Sequence, residues 1–255
     1  MENNDVIVVK MGGIASDNLD KAFFSQLKQW QAENKKIVIV HGGGHYISKM
    51  MTLMNLKVEV KEGLRITSKK TLEITRMVLL GQVQPLITTS LQKAGLQPVG
   101  LNAGCNQLIQ GDFINRKKLG YVGEVTQISN ALLETLFHTD QIPVIAPLGI
   151  TPQGQWLNIN ADEVACQVAV SLQAKKLFLL TDVPGIKKDD VWLDEVCFEQ
   201  LEQFVTQKIV TGGMVPKITS AKKALVAGVQ SVCINNTITN SGTTILAKVP
   251  VLATN

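Results

Sequence analysis

Five short runs made almost wholly of aliphatic residues recur along the chain: "VIVV" (Val6 to Val9), "IVIV" (Ile37 to Val40), "PVIAPLG" (Pro143 to Gly149), "LFLL" (Leu177 to Leu180) and "SVCI" (Ser231 to Ile234). A strand that is apolar at every position must be covered on both faces. Amphipathic stretches separate most of these runs, among them "LDKAFFSQLKQWQ", "LEITRMVLLGQVQPLITTSLQKAG", "DEVACQVAVSLQAKK" and "ITSAKKALVAG". Strands buried on both sides and alternating with helices predict an α/β fold, a three-layer αβα sandwich around a mainly parallel open sheet. The segment "LIQGDFINRKKLGYVGEVTQIS" (Leu108 to Ser129) alternates apolar and polar residues around glycines, which predicts β-hairpins at the sheet edge.

With 255 residues and 45% hydrophobic content, the chain can bury a full core as one large α/β domain or two closely joined lobes. A soft division falls near Leu172, giving an N-terminal lobe of residues 1–172 and a C-terminal lobe of residues 173–255. No apolar run approaches the roughly 18 residues of a membrane span, and "MENNDVIVVK" lacks the features of a signal peptide, so a cytoplasmic location is expected. Cys105, Cys166, Cys197 and Cys233 are widely spaced, which indicates neither a zinc site nor a disulfide framework. The net charge of +4 is spread through helical segments instead of forming basic blocks. That pattern suits a small anionic ligand better than nucleic acid.

"IVIVHGGGHYISKM" (Ile37 to Met50) sets an apolar strand directly against three glycines and then a helix-like stretch. "VIVVKMGGIASDN" repeats this grammar with Lys10, Gly12 and Gly13, and a helix expected to open near Asp17 and Asn18. "IVTGGMVPKITSAKKAL" is a third example, with Gly212 and Gly213 ahead of a helix that carries Pro216 in its first turn and Lys217 close behind. None of these turns matches GxxxxGK[ST] or GxGxxG. A single such turn is ordinary punctuation. Three of them, two with an adjacent lysine, point to an anion lying against main-chain N–H groups at the carboxyl ends of strands.

A cation in the first turn of a helix opposes the macrodipole by a few tenths of a kcal/mol, so Lys217 either swings into solvent or faces an anion. Lys10, at the end of a buried strand, needs a counter-charge. A structural salt bridge would supply one equally well. "WLNINADEVACQ" offers a source: Asn160 reads as an N-cap, Glu163 as the other half of a capping box, and Asp162 falls in the first helical turn. If the two lysines converge, Asp162 can orient both. His41 and His45 have the spacing of helical metal ligands, but the glycines between them oppose a helix there, and no metal site is expected. His138 lies alone in a polar turn.

"VVKMGG", "IVIVHGGG", "EGLRIT", "LGYVGEV", "NINADEVA", "LLTDVPGI" and "TGGMVPK" occur in an order that resembles the amino acid kinase family over essentially the whole chain, up to "SGTTI". The resemblance implies an N-terminal lobe that binds an acyl amino acid and dimerises, and a C-terminal lobe that binds ATP with Mg2+. It implies transfer of a phosphoryl group from ATP to the γ-carboxylate of N-acetyl-L-glutamate, in arginine biosynthesis. Lys10, Lys217 and Asp162 would be catalytic. Gly43, Gly44, Arg65 and Asn158 would bind the acid, Arg65 through its bidentate fork. Gly12, Gly13, Thr181, Asp182, Gly185, Thr211, Gly212, Gly213 and Met214 would hold the nucleotide. A homodimer that arginine does not inhibit is expected. "GLNAGCNQL" (Gly100 to Leu108) departs from the family pattern, with Asn, Ala and Cys in place of a Gly-Lys-Asp-like turn. Alternatives are a kinase for an aminoadipate derivative, carbamate or a nucleoside monophosphate, and a non-catalytic nucleotide-binding regulator on the same fold.

Overall fold

In the computed structural model, which describes residues 5–12, 19–240 and 242–246, four of the five aliphatic runs each lie on one strand. The chain begins with β1 (Val6–Met11), α1 (Lys21–Ala32), β2 (Lys36–His41) and α2 (Gly44–Leu53), followed by a small hairpin of β3 (Val60–Lys61) and β4 (Leu64–Arg65). Next come α3 (Lys69–Val78), a π-helical stretch (Leu79–Val83), α4 (Gln84–Lys93), β5 (Pro98–Leu101), β6 (Ile109–Phe113), α5 (Arg116–Leu119) and β7 (Val122–Ile128). Then follow α6 (Asn130–His138), β8 (Ile142–Ile145), β9 (Leu148–Ile150), β10 (Trp156–Ile159), α7 (Ala161–Ser171) and β11 (Lys176–Leu180). The rest comprises β12 (Lys187–Lys188), β13 (Val191–Trp192), β14 (Glu195–Cys197), α8 (Gln200–Thr206), α9 (Met214–Val226), β15 (Ser231–Asn235) and β16 (Thr243–Leu246).

Among the described residues, eight strands form one sheet in the order β14-β16-β15-β11-β1-β2-β8-β5. The ladders from β15 to β5 are all parallel, while β16 runs antiparallel to β15. Strand pleating explains the three layers. Val6 and Val8 of β1 bury on the face covered by Val164 and Val168 of α7 and Ile218 and Leu225 of α9. Ile7, Val9 and Met11 bury on the opposite face, against Phe23 and Leu27 of α1 and Ile47 and Met51 of α2. Each such side chain contributes about 1.5–3 kcal/mol when fully buried. Lys10 shares the parity of Val6 and Val8, so its side chain leaves the strand on the α7 and α9 side.

From β1 the chain winds to β2 on one side of the sheet, whereas β11 lies on the other and leads on to β15. Strand order therefore reverses between β1 and β11, which opens a crevice at their carboxyl ends.

Three local expectations are revised. The Leu108 to Ser129 segment does form a hairpin, β6 with β7, but it closes with β9 and β10 into a separate four-stranded barrel instead of extending the edge of the main sheet. "PVIAPLG" spans two strands, because the chain leaves the main sheet at Ala146 and Pro147 to enter that barrel. Ile209 to Thr211 is a turn between α8 and α9, not a strand, so the third glycine turn joins two helices. Among the described residues the first helix starts at Lys21, capped by the Asp20 side chain, which accepts from Phe23 N–H at 2.8 Å; the opening expected near Asp17 and Asn18 lies outside the described residues. In the long amphipathic stretch, Pro85 has no N–H to donate to the preceding turn, and the helix widens into its π-helical segment there.

Candidate active site

Lys10 leaves the end of β1, Asp162 stands in the first turn of α7, and Lys217 stands in the first turn and a half of α9. The Lys10 ammonium lies 2.8 Å from Asp162 Oδ1, and Lys217 Nζ donates to Oδ2 at 3.0 Å. The first contact is a close ion pair. All three side chains are enclosed, with 7%, 9% and 13% exposure for Lys10, Asp162 and Lys217. Burial alone would raise the Asp162 carboxyl, but the two ammonium groups outweigh it and hold the acid below its usual range. Burial lowers Lys10, with repulsion from Lys217 acting in the same sense and attraction by Asp162 opposing it. Two ammonium groups against one carboxylate leave one positive charge uncompensated among largely buried side chains, which is costly until an anion arrives.

Asn160 caps α7 as its sequence suggests, its Oδ1 accepting from Asp162 N–H at 2.8 Å and more weakly from Glu163 N–H at 3.4 Å. Glu163 does not complete a capping box. Its Oε1 accepts from Val125 N–H at 2.9 Å and ties α7 to β7, where the ladder shifts register opposite Gln110 and Gly111 and leaves that donor available. Burial pushes the Glu163 carboxyl up, with the Val125 N–H opposing.

Two cavities flank the triad. The larger, about 740 Å³, opens at the strand-order reversal and is lined by Lys10, Gly12, Thr181, Asp182, Gly213, Met214 and Lys217. It is also walled by Asp20 and Phe23 at the N-terminus of α1 and by Asn236 and Thr237 beyond β15. The smaller, about 190 Å³, is lined by Gly42, Gly43, Gly44, Arg65 and Asn158, with Asn160 and Ala161 immediately before Asp162. Asp162 thus stands at the seam between them.

On the smaller side, Arg65 Nη2 donates to the Gly44 carbonyl and to Ser48 Oγ, both at 2.8 Å. Burial lowers its pKa while leaving it a cation. Asn158 Nδ2 donates to Thr67 Oγ1 at 3.0 Å, and that hydroxyl donates in turn to the Arg65 carbonyl at 2.7 Å. Thr67 is wholly buried and links the two residues, although only its place in "EGLRIT" hinted at it. At Gly43 the glycine is required by packing, because a Cβ there would sit 2.7 Å from Leu79 Cδ2 and 3.2 Å from Val83 Cγ2. At Gly12 a Cβ would meet only ordinary contacts, the nearest 3.5 Å away at the Leu180 carbonyl, so the protein itself leaves that space clear.

Gly185 packs against Thr243 and lies outside both cavity walls, as do Thr211 and Gly212 beside Gly213. Gly13 falls outside the described residues. The divergent Gly100 to Leu108 loop lines neither cavity; Gly104 lies against the Trp156 ring instead. Asn236 and Thr237 were readable in principle, since they follow "SVCIN" at a strand's carboxyl end, where ligands bind in such sheets. His41 ends β2 and His45 lies in α2, and among the described residues no group of three His, Cys, Asp or Glu side chains is placed to hold a metal ion.

The sequence profile of the amino acid kinase family matches residues 5–236. An acetylglutamate kinase of Listeria monocytogenes serotype 4b (strain F2365) is 52% identical over 251 residues, covering 98% of this chain and 100% of that protein. An acetylglutamate kinase of Leuconostoc citreum (strain KM20) is 43% identical over 237 residues, covering 93% of this chain and 97% of that one. Among solved structures, smu.665 of Streptococcus mutans UA159 superposes with a TM-score of 0.92 at 38% identity, over 96% of this chain and 100% of the other. Carbamate kinase of Giardia lamblia bound to AMP-PNP shares the fold, with a TM-score of 0.73 at 14% identity over 97% of this chain and 100% of that chain. The glycine turns, the lysine pair on one carboxylate and the full-length similarity lead to one conclusion: this chain belongs to the amino acid kinase family.

Proposed function

We propose that the protein is an acetylglutamate kinase of arginine biosynthesis, a phosphotransferase that takes a carboxyl group as acceptor. A γ-carboxylate oxygen of N-acetyl-L-glutamate forms a bond to the γ-phosphorus of ATP while the bond to the bridging oxygen breaks, and ADP leaves with that electron pair. The observation that carries this reading is the convergence of Lys10 and Lys217 on Asp162 at the seam of two cavities. Relatives named acetylglutamate kinase along the full chain support the choice of acid.

The chemistry needs no general base, because a carboxylate with a pKa of about 4.3 is already ionised at neutral pH. Catalysis is then positioning plus neutralisation of charge on the transferring group. Lys10 and Lys217 would bind its equatorial oxygens from opposite sides, with Asp162 holding both ammonium groups in place. Gly43 and Gly44 present main-chain groups from the smaller cavity, where Arg65 and Asn158 would fix the acid. Gly12 and Gly13, Thr181 and Asp182, and Gly213 and Met214 would hold ATP in the larger cavity, with Gly185, Thr211 and Gly212 shaping the turns around it. The acid side thus falls to residues 1–172, and most of the nucleotide side to residues 173–255.

Magnesium would enter on the phosphates, keeping several waters. Asp182 and Asp20 on the wall of the larger cavity fit that role, since a hydrated cation can reach a carboxylate through its water shell. When bound, the ion neutralises phosphate charge. We also assign a cytoplasmic location and a homodimer, the latter supported by the exposed Met77 and Leu86 on the α3 to α4 helical run. No helix among the described residues is long and apolar enough to cross a membrane.

The test is ADP formation with N-acetyl-L-glutamate, glutamate, aminoadipate and carbamate in turn. Turnover is expected with the first alone; equal turnover with glutamate contradicts the assignment.

A further inference from the structure

One buried polar group has no part in the chemistry above: the His41 imidazole. It is wholly enclosed at the last position of β2, and burial pushes its pKa down to about 4, so the ring is neutral and carries a single proton. Nδ1 lies 2.9 Å from the Gly42 carbonyl oxygen, which can only accept; the proton is therefore on Nδ1 and the ring donates. Nε2 is left as a bare lone pair, buried with no hydrogen-bond partner among the described residues. A residue that merely filled this volume would be better apolar, because an unpaired buried nitrogen lowers stability.

The peptide held by that bond supplies the reason. The two polar bonds of a trans peptide point in opposite directions, so a Gly42 carbonyl fixed on the imidazole side turns the Gly43 N–H away from it. Gly42 N–H is itself bound to the Met11 carbonyl at 2.8 Å, which pins the residue at both ends. Gly42, Gly43 and Gly44 line the smaller cavity with Arg65 and Asn158. Three successive glycines have the widest backbone freedom of any tripeptide, and none can anchor its own turn with a side chain.

We propose that His41 is a positioning residue: its Nδ1–H clamps the Gly42 carbonyl and thereby aims the Gly43 N–H into the smaller cavity, as a fixed donor to an anionic oxygen of the bound reactants. This rests on the kinase reading given above. The device replaces a side-chain anchor in a turn that Leu79 and Val83 hold too tightly to admit a Cβ at Gly43.

The experiment compares three substitutions in the full chain. His41→Leu removes the donor at similar volume, and His41→Gln extends its amide toward the Nε2 position, past the carbonyl. His41→Asn places an amide donor where Nδ1 stands. With ATP and N-acetyl-L-glutamate, the Leu and Gln proteins should lose about 10- to 100-fold in kcat, while KM for ATP stays within about twofold. The Asn protein should recover most of the lost rate. Wild-type kcat in the Leu or Gln protein, or equal impairment of all three, overturns the proposal. In glycine-labelled protein, the Gly43 amide resonance should move on addition of N-acetyl-L-glutamate in the wild type and the Asn protein, and stay put in the others. If the wild type turns over none of the acids, the kinase reading fails, and the same spectra taken with inorganic phosphate still decide the role of His41.

Discussion

Lys10 and Lys217 share one carboxylate, their ammonium groups lying 2.8 Å and 3.0 Å from the two oxygens of Asp162. One lysine arrives from the centre of the sheet and the other from a helix near the far end of the chain. Asp162 keeps two like charges close together in a site where neither is at ease alone. An anionic group entering the crevice would relieve that conflict.

Removing one of these donors should affect the transition state more than the ground state. Lys217→Ala is expected to lower kcat by about 10²- to 10³-fold, comparable to losing an oxyanion donor. Lys217→Arg should not rescue it, because a planar fork cannot replace a compact ammonium in an enclosed corner. Steady-state kinetics with saturating acid checks both, and a Lys217→Ala protein within threefold of wild type would overturn the assignment of that lysine.

Asp162→Asn keeps the shape but leaves two buried ammonium groups facing a neutral amide. Breaking a buried ion pair in this way costs about 3–5 kcal/mol. Urea unfolding at pH 7 should show a loss of that order, partly restored by saturating MgATP, whose phosphates supply the missing charge. A loss below about 1 kcal/mol would mean that the triad is solvated, as exposed ion pairs are.

Arg65→Lys retains the charge and loses the fork. KM for N-acetyl-L-glutamate should rise about tenfold or more, with KM for ATP little changed, because a point charge cannot reproduce bidentate binding of a carboxylate. An equal rise in both constants would place Arg65 outside the acid subsite.

At Gly43 the expected effect is on packing. A Cβ 2.7 Å from Leu79 Cδ2 and 3.2 Å from Val83 Cγ2 forces these buried side chains to shift, and Gly43→Ala should destabilise by about 1–3 kcal/mol. Shortening the opposing side chain in a Gly43→Ala/Leu79→Ala protein should cost less than the sum of the single changes, a coupling readable in a double-mutant cycle.

The pH dependence of stability has a sign fixed by His41. Its pKa is about 4 in the folded chain against 6.5 when free, so between these values the unfolded state binds more protons. Stability should therefore fall as pH drops from about 6.5 to about 4, by roughly 3 kcal/mol in all. The raised Glu163 carboxyl acts in the opposite sense, its effect growing as pH rises above the ordinary carboxylate range. Urea unfolding across this window, compared with His41→Asn, isolates the histidine: the variant's curve should be flatter by that amount.

The sequence by itself determined the layered α/β architecture and the glycine turn after β2, and it singled out two lysines and an aspartate as candidates for the site. These are local matters: apolar runs and helical spacing declare which faces are covered, and a lysine at the end of a buried strand announces an unmet charge wherever it lies. Tertiary structure alone decided the rest. Closure of the barrel by β9 and β10, the grip of Glu163 on Val125 and the approach of Leu79 to Gly43 each join segments whose neighbourhood depends on strand order and packing. Lys10 and Lys217 could each have formed a separate salt bridge without any change in local pattern. Only the placement of α7 and α9 over one face of β1 brings both to Asp162, because a chain's local preferences set the direction of a side chain but not what it meets.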